Sequence, residues 1–333
     1  MPFSKITGLG FYVPETIVTN NDLAALMDTT NEWIIERTGI QERRFFTAGK
    51  DSVSNMAARA AKIALERAGK TPQDVDAIVF ATLTPDYYFP GSGVLLQREL
   101  GLSRIPCFDI RSQCGGFIYA LSVADQYIKS GMFKTVLVAG SEIQSNVMEI
   151  SDRGRTMSVI FGDGAGVCVV EAHQEKGKGI LSTHLHSDGN FAEELCCKLP
   201  SSSLADRGLS ADAQQAGDLL PYMNGKLVFQ YAVKYFPEVI REALTHNQLT
   251  ENDLDLFIPH QANARITEYV RKEMNMPAEK VISNIHKYGN TTAASIPIAL
   301  TEAWQDGKVK EGNLIALAAF GSGFMWGSAL IRW

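Results

Sequence analysis

The chain has 333 residues, 45% of them hydrophobic and 20% charged, and 31 Lys and Arg against 37 Asp and Glu leave a net charge of −6. This composition excludes disorder, collagen-like repeats and coiled coil as the main character, and it lacks the bulk basic footprint of a nucleic-acid binder. At about 150 residues per domain, the length allows two domains or one large domain with two lobes.

Elements alternate along the chain. Ala, Leu and charges recur at helical spacing over residues 57–68 and stop at Gly69. Thr71-Pro72-Gln73-Asp74 is a helix-start or turn signal, and AIVFAT (77–82) suits a strand buried on both faces. Residues 115–131 are predicted helical, with Phe117, Ala120, Leu121, Ala124 and Ile128 on one face, and TVLVAG (135–140) is another buried strand. Residues 189–222 are irregular and contain Ser201-Ser202-Ser203, which predicts a long loop, as a surface segment, a lid or a pocket wall. A run at 314–320 closes the series as a buried strand, and the alternation predicts an α/β fold.

An internal repeat sharpens this. ALERAGKTPQDVDAIVFAT (64–82) lies without gaps over ALTHNQLTENDLDLFIPHQ (243–261), with Ala, Leu, Thr and two Asp coinciding. CFDIRSQCGGFIYAL and VISNIHKYGNTTAASIPIAL both read as strand, tight turn and helix, and GAGVCVV pairs with WGSALI. Any two αβ units look alike, but the ungapped length favours duplication. Two halves are expected, residues 1–172 and 173–333, with a site where their loops meet.

The five cysteines are Cys107, Cys114, Cys168, Cys196 and Cys197, an odd and irregular set that fits a reducing compartment better than a disulfide framework. No signal peptide is expected from the first residues, MPFSKITGLG, and no apolar run approaches the roughly 20 residues of a membrane span. A cytoplasmic protein without a membrane partner is expected.

Cys114 lies in SQCGGF, between a strand and a helix, where a helix N-terminus favours thiolate and glycines admit a substrate. By itself it reads better as a buried structural cysteine, as Cys107 and Cys168 do. His260, in IPHQAN, ends a buried strand and reads as a site residue or a satisfied core histidine. Asn290 opens a small-residue helix in YGNTTAAS, where an N-cap is the plain alternative. The repeat sets Cys114 and Asn290 in equivalent strand-to-helix turns and draws His260 towards them. FGDGAG (161–166) lacks the spacing of a nucleotide loop and reads as a tight turn. FGSGF (320–324) follows a strand, and its amides could face an oxyanion. His184 and His186 share a strand face near Cys196 and Cys197, with poor metal-ligand spacing, and no metal is expected.

Together these segments resemble the 3-oxoacyl-ACP synthase III family of the thiolase superfamily. The matching motifs are DxxxxCGGFxYAL around Cys114, PHQANxRI from Pro259, GNTTAAS from Gly289 and FGxGFxWGSAL from Phe320, with NEWIxERTGIxER (31–43) and DRGRTMSVIFGDGAG (152–166) beside them. The resemblance covers nearly the whole chain. It implies a thiolase-like fold, two duplicated αβαβαββ halves in an αβαβα layered arrangement. It also implies a homodimeric acyltransferase that needs no cofactor. Cys114 would take an acyl group from acyl-CoA as a thioester, and malonyl-ACP would lose CO₂ and attack it in a Claisen condensation. His260 and Asn290 would hold the developing enolate, and the amides of Cys114 and Ser322 the oxyanion. Ser322 stands where the family often has Gly.

By the same resemblance Trp33 and Arg153 sandwich the CoA adenine and Arg37 lies near the nucleotide. Gly225, Phe229, Asn263 and Arg265 line the pantetheine tunnel, and Phe89 caps the partner subunit's acyl pocket. Arg265 and Lys272, seven apart on a predicted helix and beside Arg271, share a face that reads as a patch for the acidic acyl carrier protein or as a solvated helix face, and Gln230 stands where the family often has Lys. Asn290 rather than His points to a CoA-primed enzyme, and ATLTPDYYFPGSG (81–93) lacks the Glu of 3-hydroxy-3-methylglutaryl-CoA synthases. The leading expectation is initiation of type II fatty acid synthesis. The alternatives are the same chemistry on a longer or specialised primer, a non-catalytic carrier-binding protein, and a nicotinamide enzyme using the glycine-rich loops.

Overall fold

Short apolar runs, too short for helices and rich in Val, Ile, Leu and Ala, form two main sheets. The computed structural model describes residues 2–202 and 219–333. In chain order the strands are β1 (Phe3–Tyr12), β2 (Thr16–Thr19), β3 (Glu42–Phe45), β4 (Ala77–Ala81), β5 (Cys107–Ile110), β6 (Thr135–Glu142) and β7 (Gly164–His173). They continue as β8 (Gly179–Ser187), β9 (Leu195–Cys196), β10 (Tyr222–Met223), β11 (Leu256–Pro259), β12 (Leu314–Gly321) and β13 (Met325–Arg332). One sheet has the order β1-β7-β6-β4-β5, the other β8-β13-β12-β11. In the first, β4 runs parallel to β5 and β6, while β7 is antiparallel to β6 and β1. In the second, β11 and β12 are parallel and β13 is antiparallel to β12 and β8. The orders superpose strand for strand, and an isolated bridge from Phe257 to Val281 takes the place of β5.

The strand period sorts the core into layers. Ala77, Val79 and Ala81 of β4 face a central layer, and Ile78 and Phe80 face the helix Val53–Arg67. Likewise Ile315, Leu317 and Ala319 of β12 face the centre, while Leu314, Ala316, Ala318 and Phe320 face the helices Gly225–His246 and Ala264–Glu273. The centre is filled by the helices Gly116–Lys129 and Ser295–Gln305, buried between the two sheets. The result is the expected αβαβα arrangement.

The repeated segment folds twice in the same way. Thr71 and Asp74 form a reciprocal capping box over a short 3-10 turn before β4, and Thr250 and Asp253 form the same box before β11. The helix predicted over 57–68 begins earlier, at Val53, because Ser52 and Asn55 cap it. The segment 189–222 is less irregular than expected: Gly189–Glu194 is a 3-10 turn, and β9 pairs antiparallel with β10. Residues 203–218 of that predicted loop lie outside the described residues. Among the described residues no helix is long and apolar enough to cross a membrane.

Candidate active site

The C-terminal ends of the parallel strands point to one region, as α/β sheets do at their sites. Between β5 and the helix Gly116–Lys129 the chain makes a 3-10 turn, Gln113–Gly115, entered through Gln113 at φ +40°. Cys114 sits on this turn against the end of β12. A Cβ at Gly321 would lie 2.5 Å from the Cys114 Cβ and 2.9 Å from its Sγ, so only hydrogen fits there. The amide N–H groups of Cys114 and Ser322 act on the Cys114 sulfur and favour thiolate. They are outweighed: burial, and then the nearby Glu142 carboxylate, push the thiol up to about 12. The depressed thiol expected from a helix N-terminus is therefore corrected; the resting residue is a protonated thiol.

His260 follows β11, and its N–H donates to the Ala318 carbonyl of β12 at 2.8 Å. The ring is 1% exposed, and burial drives its titration down to about 3, so it is neutral. Its Nδ1 lies 2.7 Å from the Ser295 Oγ, which also accepts from the Gln261 N–H at 3.3 Å. The ring's tautomer decides which of the two donates; with the ring proton on Nε2, the Ser295 hydroxyl donates to Nδ1. That Nε2 is buried with no hydrogen-bond partner among the described residues.

Asn290 is held through its backbone, its N–H donating to the Ile160 carbonyl at 2.9 Å and its carbonyl accepting from Gly162 at 3.1 Å. FGDGAG is not the tight turn expected: Phe161 bridges Asn290 and residues 164–166 begin β7, and glycine serves close packing of backbone, since a Cβ at Gly162 would meet the Tyr288 carbonyl oxygen at 2.2 Å. The Asn290 Oδ1 accepts from the Thr292 N–H at 2.8 Å, which orients the amide and leaves Nδ2 to donate. The turn that follows, Thr292–Ala294, leads into the helix Ser295–Gln305. It packs directly on the Cys114 turn, since a Cβ at Gly116 would lie 3.2 Å from that of Ala293. The two turns match, but residue for residue Gln113 answers Thr292, both with positive φ. Cys114 therefore answers Ala293, and Asn290 lies just before the repeat-related turn.

The outer residues fall into clusters. Trp33 and Arg37 are exposed on the helix Asn31–Thr38. Asn263 donates to the Arg37 carbonyl at 2.9 Å and caps the helix Ala264–Glu273, tying the two together. The Arg265 guanidinium lies 5.9 Å from the Phe229 ring centre, on the helix that Gly225 opens. The Arg153 Nε donates to Glu149 at 2.7 Å, while Asp152 and Arg155 both bind Asp28, which brings their loop beside the entry to the Trp33 helix. Glu268 takes Arg271 through two 2.7 Å bonds and Lys272 at 3.3 Å, so one carboxylate offsets part of the basic patch that includes Arg265. Phe89 is 80% exposed, beside exposed Tyr87 and Tyr88. His184 and His186 share Glu242, whereas the Cys196 and Cys197 thiols turn to the carbonyls of Glu193 and Leu199. Among the described residues no cluster of His, Cys, Asp and Glu could hold a metal ion.

Comparison with known proteins decides the family. The models for 3-oxoacyl-[acyl-carrier-protein] synthase III match residues 108–189, and for its C-terminal part residues 244–333. A β-ketoacyl-[acyl-carrier-protein] synthase III from Xanthomonas campestris pv. campestris is 45% identical over 99% of this chain and 98% of its own. The chain belongs to the β-ketoacyl-[acyl-carrier-protein] synthase III family. The corresponding protein of Paramagnetospirillum magneticum is also 45% identical, over 99% of this chain and 98% of its own. The crystal structure of 3-oxoacyl-[acyl-carrier-protein] synthase III from Aquifex aeolicus VF5 superposes with a TM-score of 0.89, at 42% identity, over 99% of this chain and all of that one.

Several residues around the synthase III motifs escaped sequence reasoning. Glu142 ends β6, fully enclosed, and accepts from the Thr82 hydroxyl, the amides of Leu83 and Thr84, and the Thr84 hydroxyl. Burial nevertheless holds its carboxyl up at about 7. The segment 81–93 has no Glu of its own, yet this one lies against its first residues; an acid closing an apolar strand was the available signal. Asp163 is likewise buried and raised to about 6 by burial, against bonds from Ser145, Phe46 and Gln144. Ser295 lay within a quoted motif, but its role depends on a His 35 residues away.

Proposed function

We propose that Cys114, His260 and Asn290 carry out the two half-reactions of a condensing acyltransferase. The enzyme is a synthase III that initiates fatty acid synthesis by condensing an acyl primer with a malonyl group on acyl carrier protein, by family identity. In the first half-reaction the Cys114 sulfur attacks the carbonyl of an acyl-CoA. The bond to the CoA sulfur breaks, and the released CoA takes up the proton that the thiol gives up. In the second, malonyl-ACP loses CO₂ and the bonding pair stays on its C2. His260 Nε2–H and Asn290 Nδ2–H donate to the enolate oxygen as charge develops. C2 attacks the Cys114 thioester, the oxyanion forms beside the amides of Cys114 and Ser322, and the thiolate leaves as 3-oxoacyl-ACP forms.

The observation that carries this reading is the polarity of the two donors. The His260 ring is neutral, its Nδ1 is paired with Ser295 and its Nε2 has no partner among the described residues, and Asn290 has its oxygen taken by Thr292. With the ring proton on Nε2, each side chain has an N–H left to donate to a developing anion. The reading extends to Trp33, Arg37, Arg153, Gly225, Phe229, Asn263 and Arg265 as the path of CoA and pantetheine, and to Arg265, Arg271 and Lys272 as the carrier contact. It divides the chain into residues 1–172 and 173–333. It also includes a homodimer in which Phe89 and its exposed aromatic neighbours are covered by the second copy. A cytoplasmic setting keeps the five free thiols reduced.

The test is intact-mass analysis after incubation with single acyl-CoAs from acetyl to dodecanoyl, followed by malonyl-ACP. The expected result is a gain of one acyl group with a short primer, its absence in Cys114→Ala, and discharge by malonyl-ACP. A gain that persists in Cys114→Ala, or no gain at all, overturns the assignment. A gain only with long primers keeps the mechanism and overturns the initiating role.

A further inference from the structure

We propose that Gln144 is a positioning residue of the condensation step, holding Asn290 in its donor orientation through the backbone of Thr292. The inference rests on the assignment of Asn290 above. Thr292 has φ +50°, in the left-handed region that a β-branched residue adopts at a cost. Yet the N–H that orients the Asn290 amide belongs to this residue, and it points correctly only while the left-handed turn persists. Something must hold it. Gln144 lies two residues beyond β6, is 1% exposed, and its Nε2 donates to the Thr292 Oγ1 at 2.7 Å.

Gln144 is itself anchored. Its backbone N–H donates to the Asp163 Oδ1 at 2.7 Å, and the Ser145 N–H reaches the same oxygen at 2.9 Å. Asp163 is the next residue after Gly162, which holds the Asn290 carbonyl. One short segment thus grips Asn290 twice, through its backbone from Gly162, and through its side chain by way of Asp163, Gln144 and Thr292. A 148-residue separation between Gln144 and Thr292 makes this a tertiary device, not a local turn. The other positive-φ turn offers the contrast: the Gln113 Oε1 is buried without a hydrogen-bond partner among the described residues.

The experiment compares Gln144→Met, which keeps the size and removes the donor, with Asn290→Ala and with the double variant. Three readouts are taken: acyl loading of Cys114 by intact mass, CO₂ release from malonyl-ACP, and thermal unfolding. Gln144→Met is expected to lower kcat for decarboxylation about tenfold to a hundredfold, as a small misplacement of a reacting group does. KM and acyl loading stay within about twofold. In the Asn290→Ala background the same change is expected to cost nothing more, because its only route is through that amide. Thr292→Val removes the bond from the other side and is expected to reproduce the selective loss should Gln144→Met fold poorly.

Full decarboxylation in both Gln144→Met and Thr292→Val overturns the proposal. So does an equal loss in loading and decarboxylation, or an undiminished loss in the Asn290→Ala background. If Asn290→Ala itself decarboxylates at the wild-type rate, the assignment of the site fails and this proposal fails with it. If Asn290→Ala is slow and Gln144→Met is not, this proposal alone fails.

Discussion

The turns Gln113–Gly115 and Thr292–Ala294 both open with a non-glycine residue in the left-handed region and both lead straight into a central helix. They pack against each other where the two sheets converge. The first exposes a thiol to two backbone N–H groups in a space so tight that Gly321 has no room for a Cβ. The second carries no thiol; its Thr292 N–H instead holds the Asn290 amide, and Ser295, at the start of the helix that follows, pairs with His260. Duplication therefore supplied one frame twice, and different side chains gave it two tasks. On the function proposed above, one turn carries the acyl group and the other serves the residues that receive negative charge.

The largest expected effects break that division cleanly. Cys114→Ala abolishes acyl loading, whereas Asn290→Ala leaves loading intact and slows condensation by about 10²–10³-fold, as removal of one oxyanion donor does. Intact mass and CO₂ release measured side by side check the split. Gly321→Ala pushes a methyl group into Cys114. It is expected to slow loading by about a hundredfold, with an overpacking cost of about 1–3 kcal/mol in denaturant unfolding.

A smaller effect sharpens the account of the first turn. With its thiol pushed up to about 12, Cys114 is mostly protonated at rest, so iodoacetamide labelling rises between about pH 7 and 9 without a plateau. Glu142→Gln removes the carboxylate that disfavours the thiolate, and labelling at a given pH becomes faster. The smallest effect concerns the second turn. The folded His260 ring titrates at about 3 rather than 6.5, so the folded state binds fewer protons than the unfolded chain. Its contribution to stability is complete above pH 6.5 and is lost as pH falls towards 3. His260→Gln lacks this loss, and its Tm declines less than that of the wild type between about pH 6.5 and 4.

Much of this was legible in the residues. The alternation of apolar runs and helical spacing gave both sheets, and the aligned Thr71/Asp74 and Thr250/Asp253 pairs turned out to be two copies of one capping box. SQCGGF and FGSGF each named half of a contact, the thiol and the glycine that makes room for it. The protonation states were not legible, because burial is a property of the packed whole. A helix entry argued for thiolate at Cys114, but enclosure and Glu142, 28 positions along the chain and brought close only by β6, reversed it. The irregular reading of 189–222 failed at its ends for the same reason, since Leu195 and Cys196 pair with residues more than twenty positions away.

The sequence by itself determined the frame: which segments become strands, that they come in two matching sets, and which residue types stand at the strand ends. Local propensity and periodicity act over a few residues and need no partner. Only the tertiary structure decided what those residues touch, through the Ser295 bond to His260 and the Gln144 bond to Thr292. Those contacts span 35 and 148 positions. No periodicity reaches that far; burial and hydrogen bonding do, because most buried polar groups are paired wherever the fold brings a partner.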